Sequence, residues 1–195
     1  MKHIKNKLIN TMKKEIPLEK ANRILNIGGV VLVTAKYEEK DNITPIAWNT
    51  PVSKEPPLVA VAIGPERFIY KLIQKSKEFA VNLPTLEILE EVYFCGKNSG
   101  RDVNKFEKTG LTREKAKFIS APLIKECIAN LECKVDGIYP TGDHHLIIGR
   151  VLRAIVEEEV FDEYLKVDLK TAKTIHHLGG SMFTIPERII DVKNR

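Results

Sequence analysis

The sequence predicts a mainly β protein: a small closed barrel with helices at its ends. Three observations carry that expectation. β-branched and apolar runs of roughly 5–12 residues recur along the chain and are joined by tight turns. Only two or three helical patterns interrupt them, too few and too badly placed for repeating βαβ units. No GxGxxG follows any strand, so a doubly wound dinucleotide-binding sheet has no support. The chain has 195 residues, enough for one good core, and nothing in it demands a second domain.

The elements run in order. Residues 17–27 read as a short helix, with Pro17 at its start and Gly28-Gly29 closing it. Residues 30–37 form a β-branched strand, and the charged turn 38–42 makes a hairpin with the segment after it. Pro45, Pro51, Pro56 and Pro57 each remove a backbone donor, so residues 43–57 read as a bent strand and turn, through which no regular central strand passes. Residues 58–63 are a continuous apolar strand ended by Gly64-Pro65. A helix over 67–75 carries Phe68/Leu72 and Ile69/Ile73 on one side. Residues 79–83 return as a buried strand, stopped by Pro84, and Thr85 is placed to cap a helix running through Phe94.

Two or three antiparallel strands remain in 115–137 and 145–156, joined by a turn at 139–143. Alternation over 123–135 puts Cys127 and Cys133 on the inward face of one strand. The three cysteines, with no CxxC spacing, support neither a zinc site nor a disulfide framework. The tail around Gly179-Gly180 has the weakest pattern.

Composition excludes several classes of function. Apolar residues make up 43% and charged residues 29%, values of a globular rather than a disordered chain. No apolar run approaches the ~20 residues of a membrane helix. Residues 1–7 are basic with no apolar stretch behind them, which points away from a signal peptide and toward the cytoplasm. The net charge of +5 suits nucleic acid or a phosphorylated ligand. Its basic residues are interleaved with acids, as over residues 36–41, and no Lys/Arg run occurs, which disfavours nucleic acid.

Three stretches can carry chemistry. Residues 43–53 hold the only tryptophan, Trp48, among Thr44, Asn49 and Thr50, and irregular backbone leaves polar groups free. Such a wall suits a planar aromatic ligand with a phosphorylated tail; Trp48 as a core anchor is the competing reading. Residues 95–106 form a glycine-containing loop with Ser99, Arg101 and Lys105, able to wrap a phosphate though lacking a Walker pattern. In Gly142-Asp143-His144-His145, the two histidines point to opposite strand faces, so one at most serves a given site. His176-His177 has no ligand cluster beside it, and no metal site is expected. GxSxG and other nucleophile motifs are absent.

In order, Asn42-Ile43-Thr44-Pro45-Ile46-Ala47-Trp48, Pro56-Pro57-Leu58-Val59-Ala60-Val61, Arg67-Phe68-Ile69-Tyr70-Lys71-Leu72-Ile73, Phe79-Ala80-Val81-Asn82-Leu83-Pro84, the 95–106 loop and Gly142-Asp143-His144 resemble the flavin reductase-like, FMN-binding split-barrel family, which includes flavoredoxin and archaeal ferric reductase-type proteins. The resemblance runs from about residue 24 to 156. It implies an antiparallel Greek-key split β-barrel in one domain, with a core over about 18–160 and a C-terminal extension over 161–195. It also implies a homodimer with FMN near the subunit interface. Ala47, Trp48, Asn49 and Thr50 would form the flavin wall, with Asn82 close by. Ser99, Gly100, Arg101 and Lys105 would hold the phosphate or ribityl tail, assisted by Arg67, and His144 would lie beside the ring as the one acid–base candidate.

The implied activity is electron transfer from NAD(P)H or a reduced carrier through FMN to flavin, a ferric chelate or a redox protein. The alternative is a non-catalytic protein that binds FMN or haem as carrier, sensor or store. The stretch Ala47-Trp48-Asn49-Thr50-Pro51-Val52-Ser53 stands where many two-component reductases carry serines, which favours the flavoredoxin-like branch.

Overall fold

The computed structural model describes residues 12–192; residues 1–7, on which the cytoplasmic expectation rests, lie outside the described residues. The helix expected at 17–27 is a 3-10 turn, Leu18–Lys20, followed by a single helical turn, α1 (Asn22–Leu25). Strand β1 (Val31–Tyr37) turns through Glu38, at φ 54°, into β2 (Lys40–Ile46). After Ala47-Trp48 come β3 (Asn49–Ser53) and β4 (Leu58–Ile63). Helix α2 (Phe68–Ser76) leads into β5 (Glu78–Leu83).

Next come α3 (Leu89–Lys97), α4 (Lys105–Thr109) and the short strands β6 (Arg113–Glu114) and β7 (Leu123–Ile124). The long pair β8 (Ala129–Thr141) and β9 (His144–Val156) comes after them, and the hairpin β10 (His176–Gly179) and β11 (Met182–Thr184) completes the described strands.

Seven strands form one antiparallel sheet in the order β2-β1-β5-β8-β9-β4-β3. Its two edges, β2 and β3, are consecutive in sequence and joined by only Ala47 and Trp48. The sheet must therefore curl until its edges meet, which makes it a split barrel. At the seam Ala62 N donates to Trp48 O at 3.0 Å. Pro45 and Pro51 lie within these two edge strands, where a missing donor is tolerated, so the bend is confined to two residues.

Strand β1 is buried on both faces over Val31–Ala35, where Thr34 is its one polar side chain. Val31, Val33 and Ala35 join Val61, Ile63, Phe79 and Ile147 in one core, with Ile69, Leu72 and Ile73 of α2 packed into the same cluster. Val30 and Leu32 face a second core with Val92 and Cys95 of α3, Phe106 of α4 and Ile175. A Cβ on Gly149 would collide with the Phe79 ring, so only glycine lets β9 pass over it.

Several local expectations are corrected. The β8–β9 turn is only Gly142-Asp143, with Gly142 at φ 74°, so the strands run further than the proline at 140 suggested. Cys127 lies in the turn before β8 and belongs to the second core, while Cys133 on β8 belongs to the first; both are buried, but not on one strand. Thr85 makes no side-chain cap and instead bridges Thr174. No helix among the described residues is long and apolar enough to cross a membrane.

Candidate functional site

The seam builds the site. Asn49 donates through Nδ2 to Gly29 O at 2.8 Å and Ile46 O at 2.9 Å, fixing the bend from inside. Trp48 is thereby turned outward, 39% exposed, which rules out a core anchor. Its indole Nε1 donates to Asn26 Oδ1 at 3.1 Å, and its ring lies 4.7 Å from that of His144. His144 Nδ1 sits 2.9 Å from Asp143 Oδ1, and this hydrogen bond holds the Asp143 carboxyl below its usual range. The next histidine, His145, points to the other face and meets Tyr70 OH at 2.8 Å. A cleft of about 300 Å³ runs along Thr44, Pro45, Ala47 and Trp48 to Arg67 and His144.

That cleft shares Thr44, Arg67 and Gly96 with a second, of about 200 Å³, so the two form one groove. The second is cationic: Arg67, Lys97, Arg101 and Lys105 line it against one carboxylate, Glu66, which already pairs with Arg67 at 3.0 Å. Lys105 is buried at the start of α4 and donates to Ile43 O and Cys95 O, each at 2.7 Å. Burial lowers its pKa from 10.5 to about 8, the neighbouring Cys95 and Arg67 adding smaller opposed effects. Burial likewise pushes the Cys95 thiol up to about 11, leaving it protonated.

Asn42 lies at the same end, 3% exposed, and its Oδ1 is the one buried side-chain polar atom without a partner among the described residues. A Cβ on Gly100 would collide with that oxygen, so the glycine keeps Asn42 in place. An acceptor left unmet inside a protein is uncommon and asks for a donor from a ligand or a water.

Ala47, Trp48, Arg67, Ser99, Gly100, Arg101, Lys105 and His144 thus meet along one groove. Three residues expected beside them do not. Asn49 is spent on the bend, and Thr50 stands exposed on β3 with its hydroxyl on Pro51 O. Asn82 is fully buried, donating to Leu32 O and Thr34 Oγ1 and accepting from Ile124 N and Asn130 Nδ2, so all its hydrogen-bonding capacity serves the framework.

The 99–101 loop also differs from a backbone cradle. The N–H groups of Arg101, Asp102 and Val103 turn back onto Ser99, leaving side chains as the main charged donors. Arg101 donates to Glu66 O in addition. Sequence reasoning missed Asn42, Lys97 and His177 as groove residues. Asn42 stands at the head of the proline-bearing Trp48 stretch, a position that could have marked it. His177 carried no local signal, because the fold brings it over from the far end of the chain. Among the described residues no group of His, Cys, Asp or Glu is placed to hold a metal ion.

An antiparallel split barrel with an aromatic wall and an anion pocket along its seam defines a class of flavin-binding domain. The chain belongs to the flavin reductase-like family: residues 26–174 match the model of the flavin reductase like domain. It is 40% identical to an uncharacterised protein of Archaeoglobus fulgidus over 146 residues, 75% of this chain and 81% of that protein. It is 26% identical to the NADH-dependent FMN reductase AsuE2 of Streptomyces nodosus subsp. asukaensis over 153 residues, 78% of this chain and 76% of that one. Among solved structures, the FMN-binding protein of Thermus thermophilus with bound 1-cyclohex-2-enone superposes with a TM-score of 0.80 at 26% identity, covering 94% of this chain and 99% of that one.

Proposed function

We propose that the chain is an FMN-dependent oxidoreductase that passes electrons from NAD(P)H or a reduced carrier to an acceptor. The observation that carries this reading is the division of one groove into an aromatic end and a cationic end. The donor set suits FMN. Arg67, Lys97, Arg101 and Lys105 match a phosphate, and the unmet Asn42 Oδ1 matches a hydroxyl of the polyol chain. The Ala47–Trp48 wall matches a planar ring. FMN, when bound, supplies the hydride and one-electron chemistry, so the protein need only bind, orient and shield it. His144 is held by Asp143 and Trp48 at the aromatic end, where it can hold or move a proton. The name of the Streptomyces relative supports NADH as a donor.

The test is the visible spectrum with FMN, then with NADH or NADPH under anaerobic conditions. Flavin bands that shift on binding and bleach on nucleotide addition are the expected result. A protein that takes up no FMN would end this reading; one that binds FMN but accepts no electrons from any donor would be a carrier or store.

Two substitutions separate ligand contacts from framework. Asn42→Ala should weaken FMN binding about 10- to 100-fold, the effect of losing a buried hydrogen bond of roughly 1–3 kcal/mol. It should lower the melting temperature without FMN only slightly, because removal of the unmet acceptor offsets the lost Asn42 Nδ2–Thr44 Oγ1 bond and the emptied volume. Calorimetric titration and thermal melts read both, and a markedly lower melting temperature with unchanged FMN affinity would make Asn42 structural. Arg101→Ala should weaken FMN roughly tenfold through a lost phosphate contact, with a stability change within about 0.5 kcal/mol. Equal FMN affinity in the variant would remove Arg101 from the phosphate site.

The reading includes a homodimer. Leu18 and Leu25 stand 89% and 86% exposed, Leu25 on the α1 turn whose Asn22 and Arg23 line the groove, apolar surface of the kind that a second copy covers. Sedimentation equilibrium giving a monomer at micromolar concentration would remove that part alone.

A further inference from the structure

A half-exposed side chain keeps one position only where something fastens it, because ordering it costs rotamer freedom. Trp48 is 39% exposed, and its backbone is set by the seam, where Ala62 N donates to its carbonyl. The indole itself has two fasteners. The His144 ring lies against it at 4.7 Å, tilted by 43°, and Asn26 Oδ1 accepts from its Nε1 at 3.1 Å. The ring contact lets the indole slide and tilt; the hydrogen bond is the directional one.

An indole N–H can only donate, so its partner must present an acceptor from a fixed place. Asn26 does so. It is 8% exposed and closes α1, its N–H donating to Asn22 O at 2.8 Å. There the chain leaves the helical turn, at φ −79° and ψ 59°, and continues as a strap over the seam. Ile27 O accepts from His176 Nδ1 at 2.7 Å, and Gly29 O accepts from Asn49 Nδ2 at 2.8 Å. Val30 N then donates to Ile175 O at 2.8 Å. A Cβ on Gly28 would stand 3.2 Å from Ala47 O, so the strap lies close against the wall it crosses. Asn26 is therefore held from β3 and β10, and it lines the cleft beside Trp48 and His144. Its bond ends on a groove side chain, whereas those donated by Asn49 and Asn82 end on framework groups.

We propose that Asn26 is a positioning residue: it acts through Trp48, holding the indole as the wall that the flavin ring meets. Its effect on FMN rests on the FMN reading; its hold on Trp48 does not.

The test has two arms. Trp48 is the only tryptophan, so the intrinsic fluorescence of the full chain without FMN reports on that one side chain. Asn26→Ala should lower its anisotropy and make it more open to quenching by acrylamide. Asn26→Asp, of the same shape and still an acceptor, should keep both near native. The second arm is calorimetric titration with FMN. Asn26→Ala should weaken FMN about 3- to 10-fold in the native background, the effect of one ordinary hydrogen bond. In a Trp48→Phe background, which has no N–H to hold, the same change should leave FMN affinity within about twofold. Asn26→Ser, too short to reach the indole, serves if Asn26→Ala fails to fold.

A Trp48 signal unmoved by Asn26→Ala, or moved as far by Asn26→Asp, would overturn the proposal. So would an FMN affinity that Asn26→Ala leaves unchanged. Equal weakening of FMN in both backgrounds would overturn it too, since Asn26 would then act through the shape of α1 and not through Trp48. A Trp48 loosened as expected in a chain that takes up no FMN would leave Asn26 as the fastener of the indole and end the oxidoreductase reading.

Discussion

Asn82→Ala should destabilise the protein by about 3–5 kcal/mol, without any selective loss of FMN affinity in the molecules that stay folded. Asn82 joins four elements: itself on β5, Leu32 and Thr34 on β1, Ile124 on β7 and Asn130 on β8. Truncation strands the Ile124 N–H and removes one acceptor from Asn130, both in surroundings that water does not reach. Each group left unmet costs about 1–3 kcal/mol, and the emptied side-chain volume adds to that. Urea denaturation without FMN measures the loss. Full stability with FMN binding abolished would return Asn82 to the cofactor, where the family resemblance first put it.

Lys105→Met should weaken FMN binding about 10- to 100-fold at pH 7 and remove a pH dependence that the native chain shows. The sign comes from burial. Lys105 has a folded-state pKa of about 8 against 10.5 for the free side chain. Between those values the unfolded chain holds the proton more tightly, so this residue's contribution to stability improves as pH rises from about 8 to 10.5. Below pH 8 its unfavourable effect is fully present, offset by the bonds to Ile43 O and Cys95 O.

A bound phosphate favours the charged form, so FMN affinity should fall as pH rises through about 8, by at most tenfold per pH unit. Cys95, pushed up to about 11, stays protonated through most of that range and leaves the trend to Lys105. FMN titrations from about pH 7 to 9.5 read the slope on either side of that value. A slope that persists in Lys105→Met would place the titrating group elsewhere.

The strands and helices that pack one apolar face were legible because their signal is local. Residues 58–63 lie where a continuous apolar run before Gly64-Pro65 puts a strand, and the helix beginning after Arg67 lies where i, i+4 spacing puts it. The groove's wall and loop were legible too, since Trp48, Arg101 and Lys105 are unusual residues in short, polar, glycine- or proline-bearing stretches. What failed depends on pairing across the chain. An asparagine reads the same whether it meets a ligand or, like Asn82, four framework groups. Thr85 satisfies the rule for a helix cap, but tertiary contact gives it to Thr174 instead. The weakly patterned tail gave no hint that Ile175 would be fully buried against β1, or that His177 would reach the groove.

The seam at Ala47-Trp48 has a consequence for assembly. The two edges it joins are neighbours in the chain, yet every other strand of the sheet lies between them in hydrogen-bonded order. A hairpin, or the first four strands alone, would present the same residues with no groove between them. Ligand capture during refolding should therefore coincide with the last event of barrel formation and never precede it. That makes the ligand a probe for the moment the ring of strands becomes complete.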